Sequence, residues 1–158
     1  MLLNPGRTLF LLALPFLFAC ESEKASSDVD ALTDFATRYA AAWSSQDPGA
    51  LASFYAEDGS LKVNDGEPSV GRAAIEETAG AFMSAFPDMV VRLDRLELKG
   101  DSVFFHWHWT GTNTGPGGTG NAVDIRGYEE WTLNEDGQIR QSLGHYDDAE
   151  YQRQVNAN

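Results

Sequence analysis

Apolar side chains recur at steps of three and four between Val29 and Gln46, at Leu32, Phe35, Ala36, Tyr39, Ala42 and Trp43. A period near 3.6 predicts an amphipathic helix there. Asp28 and Asp30 stand at its start, where the positive end of a helix dipole favours carboxylates. Asp47-Pro48-Gly49 ends it. A short second helix follows, carrying Leu51, Phe54 and Tyr55 with Pro48 in its first turn. A brief strand is expected over 60–63 and a loop over 64–68. The next helical pattern runs from Gly71 to Phe86, with Ile75, Ala79, Phe82, Met83 and Phe86 as its buried stripe, and Pro87 stops it.

Beyond Pro87 the period changes to two. Alternation over 91–98 is imperfect, which predicts a strand with a bulge. Lys99-Gly100-Asp101 is a hairpin turn, and 103–114 is a long strand rich in aromatic and β-branched residues. A glycine-rich loop at 115–120 leads into a strand over 122–133. Asn134-Glu135-Asp136-Gly137 turns the chain into a last strand, 138–146, before a short final helix or tail at 149–154. Helices first and an antiparallel meander second make an α+β layer arrangement. The expected fold is a cone-shaped, curved antiparallel sheet wrapped around three N-terminal helices, with a pocket at the open end.

The N-terminus breaks the pattern. An apolar run from Leu9 to Ala19, interrupted only by Pro15, follows Arg7. It is too short to span a membrane comfortably and suits a signal-peptide core. It ends Leu17-Phe18-Ala19-Cys20, which resembles the bacterial lipobox. That resemblance implies cleavage before Cys20, the chain's only cysteine, and lipidation of its thiol. The expected organisation is a lipoprotein signal peptide at 1–19, a flexible tether at 20–28 and one domain at 29–158. The expected location is the bacterial cell envelope. A net charge of −13 argues against nucleic acid and against electrostatic docking on an anionic membrane. Membrane contact is therefore expected through the lipid anchor alone. One cysteine also excludes an internal disulfide framework and a cysteine-based zinc cluster.

Several short segments stand in a telling order: Ala42-Trp43 with Asp47, Phe54-Tyr55-Ala56-Glu57-Asp58-Gly59, Val70-Gly71-Arg72 with Ile75, and Ala85-Phe86-Pro87-Asp88. Thr110-Gly111-Thr112-Asn113-Thr114-Gly115, Asp136-Gly137-Gln138-Ile139 and Tyr146-Asp147 followed by Gln154 continue it. Over about 30–155 the chain resembles the SnoaL-like polyketide cyclases, within the fold group of nuclear transport factor 2 and ketosteroid isomerase. The resemblance implies an acid/base aspartate near the end of the last strand, at Asp147, with Gln154 seven residues later. It also places Asn113 in the pocket, where the family usually has histidine. Asparagine can hydrogen-bond a substrate oxygen but cannot move a proton at neutral pH.

Strand parity extends the candidate site. Without a bulge, His145 and Asp147 share one face of the last strand and are the candidate catalytic pair. Trp107 and Trp109 share a face with Asn113. With Trp43, Tyr55, Phe82 and Trp131 they are the candidate ligand-binding wall; ordinary core packing is the alternative for these rings. Asp147 has an alternative too, as the cap of the final helix. His106 and His108 lie on the opposite face, where a homodimer contact is expected and no metal. No nucleophile elbow, P-loop or dinucleotide fingerprint occurs, and no cofactor is expected.

The functional expectation is a lipid-anchored domain holding a small apolar molecule and performing cofactor-free acid/base chemistry of the cyclase or isomerase kind. A non-catalytic module binding a ligand or protein on the same fold is the alternative, and an envelope-assembly module a third.

Overall fold

The computed structural model describes the backbone of residues 17–157 and the side chains of residues 28–157. Residues 1–16 of the leader expected at 1–19, and the side chain of Cys20 where lipid attachment is expected, lie outside what is described. The first helix, α1 (Leu17–Ser44), begins well before Val29. The stretch expected as a tether is therefore helical in its backbone. Glu21 to Asp28 contain no glycine or proline, so nothing there interrupts a helix.

Residues from Thr33 onward form one compact unit, and the described residues up to Leu32 belong to another. In the unit beginning at Thr33, α1 is followed by α2 (Pro48–Ala52), β1 (Tyr55–Val63), β2 (Ser69–Val70) and α3 (Arg72–Ala85). The meander β3 (Val90–Lys99), β4 (Ser102–Thr112), β5 (Ala122–Leu133) and β6 (Ile139–Tyr146) comes next, and α4 (Asp148–Val155) closes the chain. The six strands make one open, curved sheet in the order β2-β1-β6-β5-β4-β3.

Local chemistry sets most boundaries. Asp47 caps α2 by accepting the Ala50 N–H at 3.0 Å, with Pro48 at the first position. Gly71 precedes α3 at φ +84°, a conformation that disfavours any side chain. Pro87 cannot continue α3, and Asp88 beyond it accepts both the backbone N–H and the hydroxyl of Thr112. Those two bonds hold the Asp88 carboxyl below its ordinary pKa and fasten the α3–β3 turn to the end of β4.

Two expectations need correction. Phe54 and Tyr55 do not continue α2; Tyr55 opens β1, which is longer than the strand expected at 60–63. The sheet is also not wholly antiparallel, because β1 runs parallel to β6. Alternation along a strand shows which side chains share a face but not which strand lies beside it. The bulge expected in β3 falls between Leu93 and Arg95. A second irregularity, in β6, leaves Arg140 without a partner between Ile139 and Gln141.

The concave side of the sheet is apolar. Val103, Phe105, Trp107 and Trp109 of β4 point inward and are buried. Tyr39 of α1 is fully buried against the Trp131 ring, centroids 4.8 Å apart, and Phe105 stacks on Trp131 at the same distance. Gly127 faces Trp107 across β4 and β5. A Cβ at Gly127 would overlap the Trp107 ring and the His145 carbonyl, so only glycine lets that indole lie across β5. Gly127→Ala should therefore destabilise the protein by about 1–3 kcal/mol, as overpacking does. Urea unfolding followed by tryptophan fluorescence checks this; an unchanged midpoint would show that the indole is not pinned there.

Candidate functional site

The inward phase of β5 reads Val123, Ile125, Gly127, Glu129, Trp131. Glu129 thus stands among apolar residues, only 5% exposed. Its Oε2 accepts three hydrogen bonds, from the Tyr39 hydroxyl at 2.8 Å, Trp131 Nε1 at 2.9 Å and the Ser142 hydroxyl at 2.6 Å. The Tyr55 hydroxyl lies 2.8 Å from that of Tyr39. Since Tyr39 donates to Glu129, Tyr55 donates to Tyr39. Three elements, α1, β5 and β6, thereby converge on one carboxyl oxygen, and β1 reaches it through Tyr39. Among the described residues Oε1 accepts no hydrogen bond, and no lysine, arginine or histidine pairs with the group.

Electrostatics follow from this. Burial raises the Glu129 pKa above its ordinary value, and the bonds from Ser142, Trp131 and Tyr39 pull it down without cancelling that rise. Burial, with the adjacent Glu129 charge, drives Tyr39 and Tyr55 well above 10, so both remain proton donors. With three donors on Oε2, Oε1 is the oxygen of Glu129 that accepts no hydrogen bond among the described residues.

Glu129 forms part of the wall of a cavity of about 70 Å³. Trp43, Phe82, Trp107 and Trp109 supply aromatic walls. Leu61 and Val63 of β1, with Met89 and Val91, add aliphatic surface, and Gly144 and Tyr146 come from β6. Phe82 stands perpendicular to both Trp43 and Trp109, with centroids 6.1 and 6.0 Å away. Trp109 also has a buried indole N–H with no acceptor among the described residues.

The residues singled out from sequence separate into groups. Trp43, Phe82, Trp107 and Trp109 line the cavity. Tyr55 and Trp131 are fully buried and do not line it; both belong to the hydrogen-bond set of Glu129. His145 is a correction. The unpaired Arg140 shifts the phase of β6, so Ser142 and Gly144 are buried on the inward face. His145 instead sits on the outer face against Tyr128, ring centroids 4.9 Å apart. Asp147 is a second correction. It is exposed and caps α4, accepting the Glu150 N–H at 3.0 Å. Asn113 is a third. It donates to the Ala85 carbonyl and accepts from the Thr119 N–H, bracing the glycine-rich loop rather than facing the cavity. On the outer face His108 bonds Asp124 at 2.7 Å and His106 lies 3.4 Å from Glu97. No group of three metal-ligating side chains occurs among the described residues.

Glu129 escaped the sequence reading, although a signal existed. Glu129 and Glu130 are adjacent in a strand that alternates strictly, so one of them had to face inward, and Trp131 fixes which.

The SnoaL-like domain family matches residues 36–142. The chain belongs to that family. A SnoaL-like protein of this shape has many structural neighbours. One is a protein with a ketosteroid isomerase-like fold from Catenulispora acidiphila DSM 44928, solved in complex with trimethylamine. It is 20% identical, with a TM-score of 0.68 over 78% of this chain and 93% of its own. Another is SalBIII, an epoxide hydrolase/cyclase-like enzyme of pyran ring formation in the polyether salinomycin. It is 19% identical, TM-score 0.66, over 78% of this chain and 95% of its own. A third is TerC, co-crystallised with polyporic acid, at 14% identity and TM-score 0.65, over 79% and 98%. At these identities the likeness concerns the fold. No protein of curated function matches the sequence.

A buried carboxyl with a raised pKa contributes stability that is complete below the unfolded value and lost as pH rises through the folded one. Asp88 and Glu150, held below their ordinary range, act in the opposite direction, so the Glu129 contribution must be read as a difference. Glu129→Gln should gain on wild type as pH rises from about 4.5 toward neutrality. Urea unfolding across that range checks this; parallel pH dependences would show that Glu129 does not titrate abnormally.

Proposed function

We propose that this SnoaL-like domain holds a compact, largely apolar molecule in its aromatic cavity and exchanges a proton with it at Glu129. The observation that carries the reading is the free Oε1 of a buried carboxyl on an otherwise nearly apolar wall. A carboxyl in such a place works as general acid when neutral and as general base when ionised. In ketosteroid isomerase an apolar site keeps a carboxylic acid neutral so that it can donate a hydrogen bond. In isomerase- or cyclase-like acid/base chemistry of this kind the carboxyl would be the group that gives or takes the proton. The neighbours with trimethylamine and polyporic acid bound, and the cyclase-like SalBIII, support a small-molecule role.

A second reading, binding without turnover, is favoured by the cavity's size. At about 70 Å³ it has less than half the volume, ~150 Å³, of a cavity known to take benzene. A multi-ring substrate would leave most of its atoms outside.

Acetone in D₂O tests catalysis directly, because it is compact and its carbon-bound protons exchange by acid/base steps. The domain should accelerate that exchange, as followed by proton NMR. Glu129→Gln should lower the acceleration at least about 100-fold, the lower end of general acid/base contributions. Asp147→Asn, which alters only the cap of α4, should leave it intact. No acceleration by the wild-type protein would leave binding without turnover as the function.

Anchoring in the cell envelope through Cys20 belongs to the same proposal, supported by Leu17-Phe18-Ala19-Cys20 at the end of the apolar run. So does pairing of two copies across the outer sheet face, where Phe104, Tyr128 and His145 form a row of half-buried rings. Cys20→Ser should move the protein from the membrane fraction to the soluble one. Continued membrane association with an unacylated mature mass would defeat lipid anchoring.

A further inference from the structure

We propose that the polar group received by this cavity is a protonated amine, and that its ligand is a compact tertiary alkylammonium cation. The inference rests on the cavity's being a ligand site, and not on catalysis there.

Charge narrows the ligand first. Among the described residues Glu129 is the single charged one on the wall, with no lysine, arginine or histidine lining it. An anion would meet the ionised form of Glu129 as a like charge in a poorly solvated space. A cation would supply the countercharge that the buried carboxylate lacks. The chain's net charge of −13 raises the local concentration of cations and lowers that of anions.

The rings narrow it further. Phe82 meets Trp43 at 83° and Trp109 at 87°, so the three planes form two corners of a box. Trp107 and Tyr146, with centroids 6.4 Å apart, are also on the wall. Aromatic faces carry negative potential and attract a cation within about 6 Å of the ring centre, and such boxes suit methylated ammonium groups. The volume of about 70 Å³ suits a head group of a few heavy atoms.

Hydrogen-bond counting then selects the degree of substitution. Oε2 is occupied by three donors, and Oε1 is the acceptor left to a ligand. A primary ammonium brings three N–H donors into a site whose free carboxylate acceptor is Oε1, leaving at least one unmatched among rings. A quaternary ammonium brings none and leaves Oε1 unpaired. A tertiary ammonium brings one N–H for Oε1 and sets its alkyl groups against the aromatic walls.

Calorimetry and tryptophan fluorescence with trimethylammonium, methylammonium, tetramethylammonium and tert-butanol test this. Trimethylammonium should bind the wild-type protein at least about tenfold more tightly than neutral tert-butanol, a ratio within reach of a desolvated cation–π and charge-assisted contact. It should also exceed methylammonium and tetramethylammonium. Glu129→Gln should abolish the preference for cation over alcohol. Trp43→Leu, which keeps an apolar wall but removes a π face, should weaken trimethylammonium more than tert-butanol. Equal or tighter binding of tert-butanol, or a cation preference that survives in Glu129→Gln, would overturn the ammonium assignment and leave the pocket standing. Binding of none of the four compounds would overturn both.

Discussion

A carboxyl buried without a cation must be satisfied by donors, and much of this domain is arranged around that requirement at Glu129. Its donors come from Tyr39 on α1, Trp131 on β5 and Ser142 on β6, and Tyr55 on β1 supports Tyr39 from behind. Removing one donor would leave a buried charge short of a partner, at a cost of about 1–3 kcal/mol or more for a charged group. The same bonds that make burial tolerable also assign the two oxygens different roles. Oε2 is held by the fold, and Oε1 has no donor among the described residues.

The cavity next to Oε1 exists because large rings are held apart. Trp107 lies across β5 only because position 127 has no side chain. Trp43, Phe82 and Trp109 meet edge to face and so cannot collapse into a parallel stack. The irregularity at Arg140 contributes from the other side, turning Ser142 and Gly144 inward. Gly144 leaves room beside Glu129, whose Cγ is 3.7 Å from where a Cβ there would stand. One inserted residue in β6 therefore brings a donor and an open wall to the carboxyl.

Membership of the SnoaL-like family accounts for the architecture and leaves the chemistry to the site, since this fold carries many activities. The aspartate implied by the family pattern is spent here on capping α4, and Asn113 is spent on bracing a loop. Glu129, on a neighbouring strand, occupies a buried position on the apolar face, where burial raises a carboxyl's pKa. The electrostatic centre of the cavity thus differs from the one the motif suggests.

Period and punctuation pointed to the elements: helices over 29–46 and 71–86, where the structure has Leu17–Ser44 and Arg72–Ala85, the hairpins at Gly100 and Gly137, and the inward face of β4 with Trp107 and Trp109. These depend on local backbone geometry and on alternation, both of which are written along the chain. The aromatic composition of the cavity was legible for the same reason, through Trp43, Phe82, Trp107 and Trp109. Tertiary structure decided the rest. The parallel pairing of β1 with β6 joins residues far apart in sequence, and no local pattern encodes a neighbour. The extra residue at Arg140 reversed the face of His145, because a shift of one position exchanges the two sides of a strand. Whether Asp147 faces a pocket or a helix end depended on where α4 begins. Glu129 could be placed inward by parity, but its three donors arrive from separate elements, so only the assembled fold made it the site.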